Sequence, residues 1–310
     1  MENPVRESCK KIAEQASLVR IDSSALSNFA PRNLKRTRTV PFFAKRLTDE
    51  QELAFQFVFN SVNYSFWGSP KWHAEYQNHL HDGSWGMMAS LRRAIDEGFP
   101  ILDPRYLADL PKDEASVIFR GTTKIPLFYE RIACLQELGR VVLQEYDGEF
   151  TNIVAESKHD ALRLLQIITT RFPSFNDAAT YNKTPVYFHK RAQLLISDLY
   201  DRFDKKGYGE FSNIGSLTAF ADYKIPQVLR KIGILFYHQN LEAMIDTGIE
   251  LQAGSTAEIE IRACTVWACE LLQRSAHQMS TVDIDHALWA LGQKKTPSDK
   301  PYHLTRTILY

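Results

Sequence analysis

The chain has no surplus of either charge: 37 Lys and Arg balance 37 Asp and Glu. A protein that grips duplex DNA or RNA carries a basic excess to neutralise phosphates. Duplex nucleic acid is therefore not an expected partner, which leaves room for a single phosphate group. Cysteine is scarce. Cys9, Cys134, Cys264 and Cys269 have neither disulfide-framework nor metal-ligand spacing. They read as small core residues of a reduced, intracellular protein. No apolar run approaches the ~20 residues of a membrane span. The polar start MENPVRESCKKIAEQ lacks the apolar stretch of a signal peptide. A cytoplasmic protein, also able to enter the nucleus, is expected, with no membrane partner. There is no Walker loop, GxGxxG, GxSxG, HExxH or paired CxxC. His73, His79 and His81 cluster in KWHAEYQNHLHDGSW, but at no standard ligand spacing, and read as loop histidines. No metal and no cofactor is expected.

Helix signals dominate what is present. A helix of modest amphipathicity is expected within residues 1–20, followed by the basic run Asn33 to Thr39. Thr48 with Gln51, and Ser255 with Glu258, form capping-box patterns, and Ser157/Asp160 and Ser280/Asp283 are further helix openings. Asp103 before Pro104 is a cap followed by a first-turn proline. Further helices are expected over 84–97, 126–146, 187–205, 216–221, 226–231 and 240–247. Strand signals are confined to 117–120 and 152–156, without hairpin spacing or βαβ alternation. No repeat or linker divides the chain. The expected fold is mainly α, a single compact helical domain with a few short strands. Residues 1–40 are assigned to an N-terminal helix and basic loop, and 41–310 to the main domain.

Four segments and one acid stand out. In LTAFADYKIPQVLR, Asp222 lies between Phe220 and Tyr223 and just before a helix start marked by Pro226. The positive end of a helix dipole favours negative charge there. Asp222 is either a cap or a carboxylate that stabilises a cationic transition state, and pattern alone does not choose. In NYSFW, Asn63, Phe66 and Trp67 form either a buried helix end or a platform that stacks a flat heterocycle, with Asn63 bonding its edge. In FHKRAQ, Lys190 and Arg191 start a helix and suit either solvent or a phosphate, with Asp198 two turns on. In EIEIR, Glu258 and Arg262 are four apart, the spacing of an intrahelical ion pair. The last segment, PYHLTRTILY, carries Tyr302, His303, Arg306 and Tyr310, and is expected to pack rather than fray.

Taken in order, NYSFW, GSWGMMASLRRAIDEGFPI, FRG, FHKRAQLL, FADYKIPQVL, EIEIRACTVW and YHLTRTILY resemble the queuosine-salvage protein family, collinearly from about residue 45 onward. Members are queuosine 5′-phosphate N-glycosylases. The resemblance implies a fold related to helical DNA glycosylases. It also implies hydrolysis of the bond between ribose and queuine in a free nucleotide, releasing queuine for tRNA modification. The acid of the family's FADYRxPQ-type motif falls on Asp222, with Lys224 in place of Arg.

Cleaving a ribosyl C–N bond passes through an oxocarbenium-like state, as in glycoside hydrolysis. Asp222 is the expected stabiliser of that charge, or the base that orients water. Queuine, a 7-deazaguanine, lacks the ring nitrogen that purines protonate on leaving, so the protein must stabilise it at other edges. Phe66, Trp67, Phe220 and Tyr223 are the expected stacking walls, and Asp198 the expected acceptor for guanine-like N–H groups. Lys190, Arg191, Arg262 and His303 are expected at the phosphate and ribose. The partners expected are queuosine 5′-monophosphate and queuine, bound by a monomer. The alternatives are a non-catalytic carrier of the same ligand, or a DNA glycosylase acting on flipped bases.

Overall fold

A computed structural model describes residues 2–29, 47–276, 278–294, 296–297 and 299–310; the basic run 33–39 lies outside them. The chain opens with α1 (Pro4–Gln15), β1 (Val19–Ile21) and α2 (Ser23–Asn28). It continues through α3 (Asp49–Ser61), the hairpin β2–β3 (His73–Tyr76, His79–Asp82) and α4 (Gly83–Asp96). Next come α5 (Pro104–Ala108), α6 (Lys112–Ile118), α7 (Phe128–Glu145), α8 (Phe150–Ser157) and α9 (Ala161–Arg171). A second hairpin, β4–β5 (Ala178–Tyr181, Thr184–Tyr187), leads into α10 (Lys190–Arg202). The last elements are α11 (Lys224–Lys231), β6 (Leu235–Tyr237), α12 (Gln239–Asp246), α13 (Thr256–Ser275) and α14 (Thr281–Gly292). The fold is mainly α, as the helix signals indicate.

Helix starts follow their side-chain chemistry. The Thr48 hydroxyl accepts from Gln51 N while Gln51 accepts from Thr48 N, so two otherwise unpaired donors are satisfied. The same reciprocal box forms between Ser280 and Asp283. At α13 the reciprocity is broken: Ser255 accepts from Glu258 N, but the Glu258 carboxylate turns back to Gly254 N.

The core has a large part and two smaller ones. Helix α3 is buried on every side, with Leu53, Phe55, Phe57, Val58 and Phe59 inside, and α4–α10 pack around it. Each fully buried phenylalanine there contributes roughly 2–3 kcal/mol. A second cluster joins α11–α14 to β1 and β6, which pair antiparallel from Val19–Tyr237 to Ile21–Leu235. A third seats Val5, Cys9 and Ile12 of α1 on α13 and β5. Residues 2–29 are thus built into the same body as the other described residues. All four cysteines are buried free thiols within it.

Several local expectations are corrected. Residues 152–156 belong to helix α8, whose buried Phe150, Ile153, Val154 and Ser157 follow a 3.6-residue period. Five residues are too short a window to reveal that period. Residues 117–118 close α6 rather than forming a strand. Residues 216–221 are not a helix: a 3-10 turn over Ile214–Ser216 gives way to chain without regular secondary structure. Pro226 is the third residue of α11, not the first, which is allowed because the first-turn N–H groups have no helical acceptor anyway. The two hairpins carry no sequence signal of the usual kind. Their turns, Gln77-Asn78 and Asn182-Lys183, hold φ of +51°, +63° and +47°, +66° without the glycine that such turns favour.

Candidate active site

The irregular stretch 217–222, between the 3-10 turn and α11, carries Asp222. Its oxygen Oδ1 accepts from Lys224 N at 2.6 Å and Ile225 N at 3.2 Å. Asp222 therefore does cap α11, with one of its two oxygens. The residue is half-buried and also lines a cavity of about 330 Å³, a volume at the lower end of small-molecule sites. The cap reading thus holds, and the same side chain also stands in the cavity wall.

The cavity gathers Asn63, Phe66, Trp67, Lys190, Asp198, Phe220, Asp222 and Tyr223 from three parts of the chain. Asn63, Phe66 and Trp67 follow the end of α3, where Arg131 and Arg191 meet its last carbonyls. Arg131 donates to the carbonyls of Val62, Tyr64 and Ser65, and Arg191 to those of Asn60 and Ser61. The guanidiniums sit 4.4 and 5.0 Å from the Tyr64 ring centre. Ser65 is pinned to the last segment of the chain, donating N–H to Tyr310 O and its hydroxyl to Thr307 O. Arg306 lies 4.5 Å over the Trp67 ring. Tyr302 packs 4.9 Å from the cavity aromatic Tyr223. The segment 302–310 packs as expected.

Asp198, on α10, accepts from Asn60 Nδ2 at 2.9 Å. Burial pushes its carboxyl up to about 7, the nearby Asp201 charge adds to this, and the Asn60 bond and Lys190 oppose it. Lys190 is buried, and burial lowers the pKa of its ammonium against the pull of Asp222, Asp285 and Asp198.

Three of the residues expected at the phosphate are placed elsewhere. Arg191 spends its donors on backbone carbonyls, Ser174 O included. Arg262 forms a buried ion pair with Asp177 and the intrahelical pair with Glu258 at 3.1 Å, and donates Nε–H to Ala221 O at 3.0 Å. Its plane is sandwiched between Phe188 and Tyr310, at 3.9 and 4.1 Å. It acts on the residue next to Asp222 through the backbone. His303 is buried beside Tyr310, and burial drives its pKa down to about 3, so it is neutral. None of the three lines the cavity. Buried guanidiniums are bound by whatever acceptors surround them, and sequence order does not show which acceptors those are.

The residue that sequence reading missed is Asp285 of α14. It is 4 % exposed, lines the same cavity, and its Oδ2 accepts from Phe220 N at 3.0 Å. Its signal was readable: it falls on the buried face between Val282 and Leu288, where an acid is unusual. Trp85, His286 and Trp289 complete the wall, with His286 against Phe220 at 5.8 Å. Among the described residues no three His, Cys, Asp or Glu side chains converge as metal ligands, and no helix is long and apolar enough to cross a membrane.

The family model described as queuosine salvage protein matches residues 43–310. A Sphaerobacter thermophilus protein named queuosine 5′-phosphate N-glycosylase/hydrolase is 41% identical over 97% of this chain and 96% of its own. Proteins of the same name from Bos taurus and Schizosaccharomyces pombe are 32% and 31% identical, over 98% and 79% of this chain and 98% and 76% of their own.

Proposed function

The chain belongs to the queuosine salvage protein family, and on that premise we propose that it is a hydrolase that cleaves the N-glycosidic bond of queuosine 5′-phosphate and releases queuine. The observation that carries the reading is Asp222: one oxygen is tied to the start of α11, and the residue lies in the wall of an aromatic-lined cavity. Positive charge grows on the anomeric carbon as the bond breaks, and a carboxylate fixed before the reaction stabilises it without reorganising. Asp222 either plays that part or takes a proton from the attacking water. Phe66, Trp67, Phe220 and Tyr223 stack the base, and Asn63 and Asp198 bond its edge. Lys190 serves the phosphate and ribose; Lys71 and Lys224 lie in the same wall and add charge for the 5′-phosphate.

The test is to incubate the protein with queuosine 5′-phosphate and follow free queuine by mass spectrometry. Wild type should release queuine, and Asp222→Asn should be slower by about 10²-fold or more. Unchanged turnover by the variant would remove Asp222 from the mechanism. Tight binding without product from the wild type would favour a carrier. Steeply salt-dependent duplex binding would favour a DNA glycosylase, against which the balanced charge weighs.

A further inference from the structure

The cavity also holds a buried acid, Asp285, for which the reading above has no use. Asp222 and Asp285 line it together, with the buried Lys190 in the same cluster. The two acids differ in setting. Asp222 receives two backbone N–H bonds at a helix start, whereas Asp285 receives one, from Phe220, and lies deeper. The groups facing Asp285 are Asp222 from the 217–222 stretch, Lys190 from α10 and Cys269 from α13. Of the charged residues of α11, also packed on α14, Arg230 pairs with Glu242 and Asp246 and Lys231 with Asp299, while Lys224 stands in the cavity wall. Two carboxylates close together in a dry site do not both ionise readily, and the one with fewer donors keeps the proton.

We propose that Asp285 is the general acid of the reaction, a neutral carboxylic acid that delivers its proton to the departing base while Asp222 serves the sugar and water. This rests on the hydrolase reading. The proton balance closes. The C–N bond breaks with its electron pair going to the base, which takes the Asp285 proton and leaves neutral. Water adds to the anomeric carbon and gives one proton to Asp222. That proton returns to Asp285 through solvent, restoring both groups. The bond from Phe220 N occupies Oδ2 and leaves Oδ1 to carry the proton. Burial, then the Asp222 charge, holds the Asp285 pKa well above the usual carboxylate range, against Lys190 and the Phe220 bond. Such an acid is what a 7-deazapurine needs, since its ring cannot be activated by protonation where a purine is.

The experiment compares wild type with Asp285→Asn on two substrates: queuosine 5′-phosphate, and 4-nitrophenyl riboside 5′-phosphate, whose leaving group needs no proton. The introduced amide oxygen can still accept from Phe220 N. With queuosine 5′-phosphate, kcat should fall by about 10²–10⁴-fold. With the nitrophenyl substrate the variant should stay within about threefold of wild type, because departure there needs no general acid. The alkaline fall of kcat in the wild type, where Asp285 loses its proton, should be absent in the variant. Equal losses on both substrates, or an alkaline limb kept by the variant, would show a merely structural role and overturn the proposal, as would no loss on queuosine 5′-phosphate. A wild type inert toward both substrates would instead overturn the hydrolase reading itself.

Discussion

Replacing Asp198 by Asn separates what this carboxyl does for the ligand from what it does to the fold. The substitution keeps an oxygen for the 2.9 Å bond from Asn60 and removes the charge. In the fold the carboxyl titrates near 7, against 3.8 for an ordinary aspartate. A raised pKa means that the folded state holds its proton more tightly than the unfolded chain does. The stability this gives is fully present below about pH 4 and is lost progressively as the pH rises toward about 7. At about 1.4 kcal/mol per pH unit the loss would approach ~4 kcal/mol in a dry setting, and the opening to the cavity reduces it to about 2 kcal/mol. Asp198→Asn should therefore be more stable than wild type near pH 8 by about 2 kcal/mol, and the gap should nearly close near pH 4. Urea unfolding at the two pH values measures this, with an unchanged denaturant slope as the control. The ligand arm has the opposite sign. A carboxylate accepts two N–H bonds from a guanine-like edge and an amide cannot, so KM should rise by about tenfold or more. An equal stability gap at both pH values, or a variant less stable near pH 8, would refute the assignment of a strained, buried charge to Asp198.

Two further substitutions test the placement of residues around the site. Arg262→Met strands Asp177 and Glu258 as buried carboxylates and should cost about 3–5 kcal/mol in thermal or urea unfolding. In the folded fraction, the preference for queuosine 5′-phosphate over queuosine should be unchanged, since Arg262 does not line the cavity; a selective loss of that preference would return it to the phosphate. In Gly139→Ala, the new Cβ would overlap Ala108 N and lie 2.5 Å from Pro104 O, both backbone atoms. It should force α5 off α7 at a cost of about 1–3 kcal/mol, and an unchanged melting temperature would show that α5 moves freely.

How much of this was readable depends on how local the determinant is. Caps are local, so Thr48, Asp103 and Ser280 announced their helices correctly. Aromatic density was also local, and NYSFW and FADY did mark the two sides of one cavity. The roles of the arginines were not local. Lys190 and Arg191 are adjacent in sequence, yet one reaches the cavity cluster and the other the end of α3, 130 residues away in sequence. Arg262 has the spacing of an ion pair with Glu258, but its other partner, Asp177, lies 85 residues away and no local pattern announces it. Asp285 follows the capping-box acid Asp283 by two residues, and what sets it apart is an acid on the apolar face of α14.

Two buried arginines, Arg131 and Arg191, hold the end of α3 and the turn that follows it, and neither touches the cavity. Their consequence is kinetic. The aromatic wall from Asn63 to Trp67 is ordered before any nucleotide arrives, so little conformational entropy is left to lose there on binding. Association should then be governed by access to the cavity mouth, and differences among base analogues should appear as residence times rather than as arrival rates.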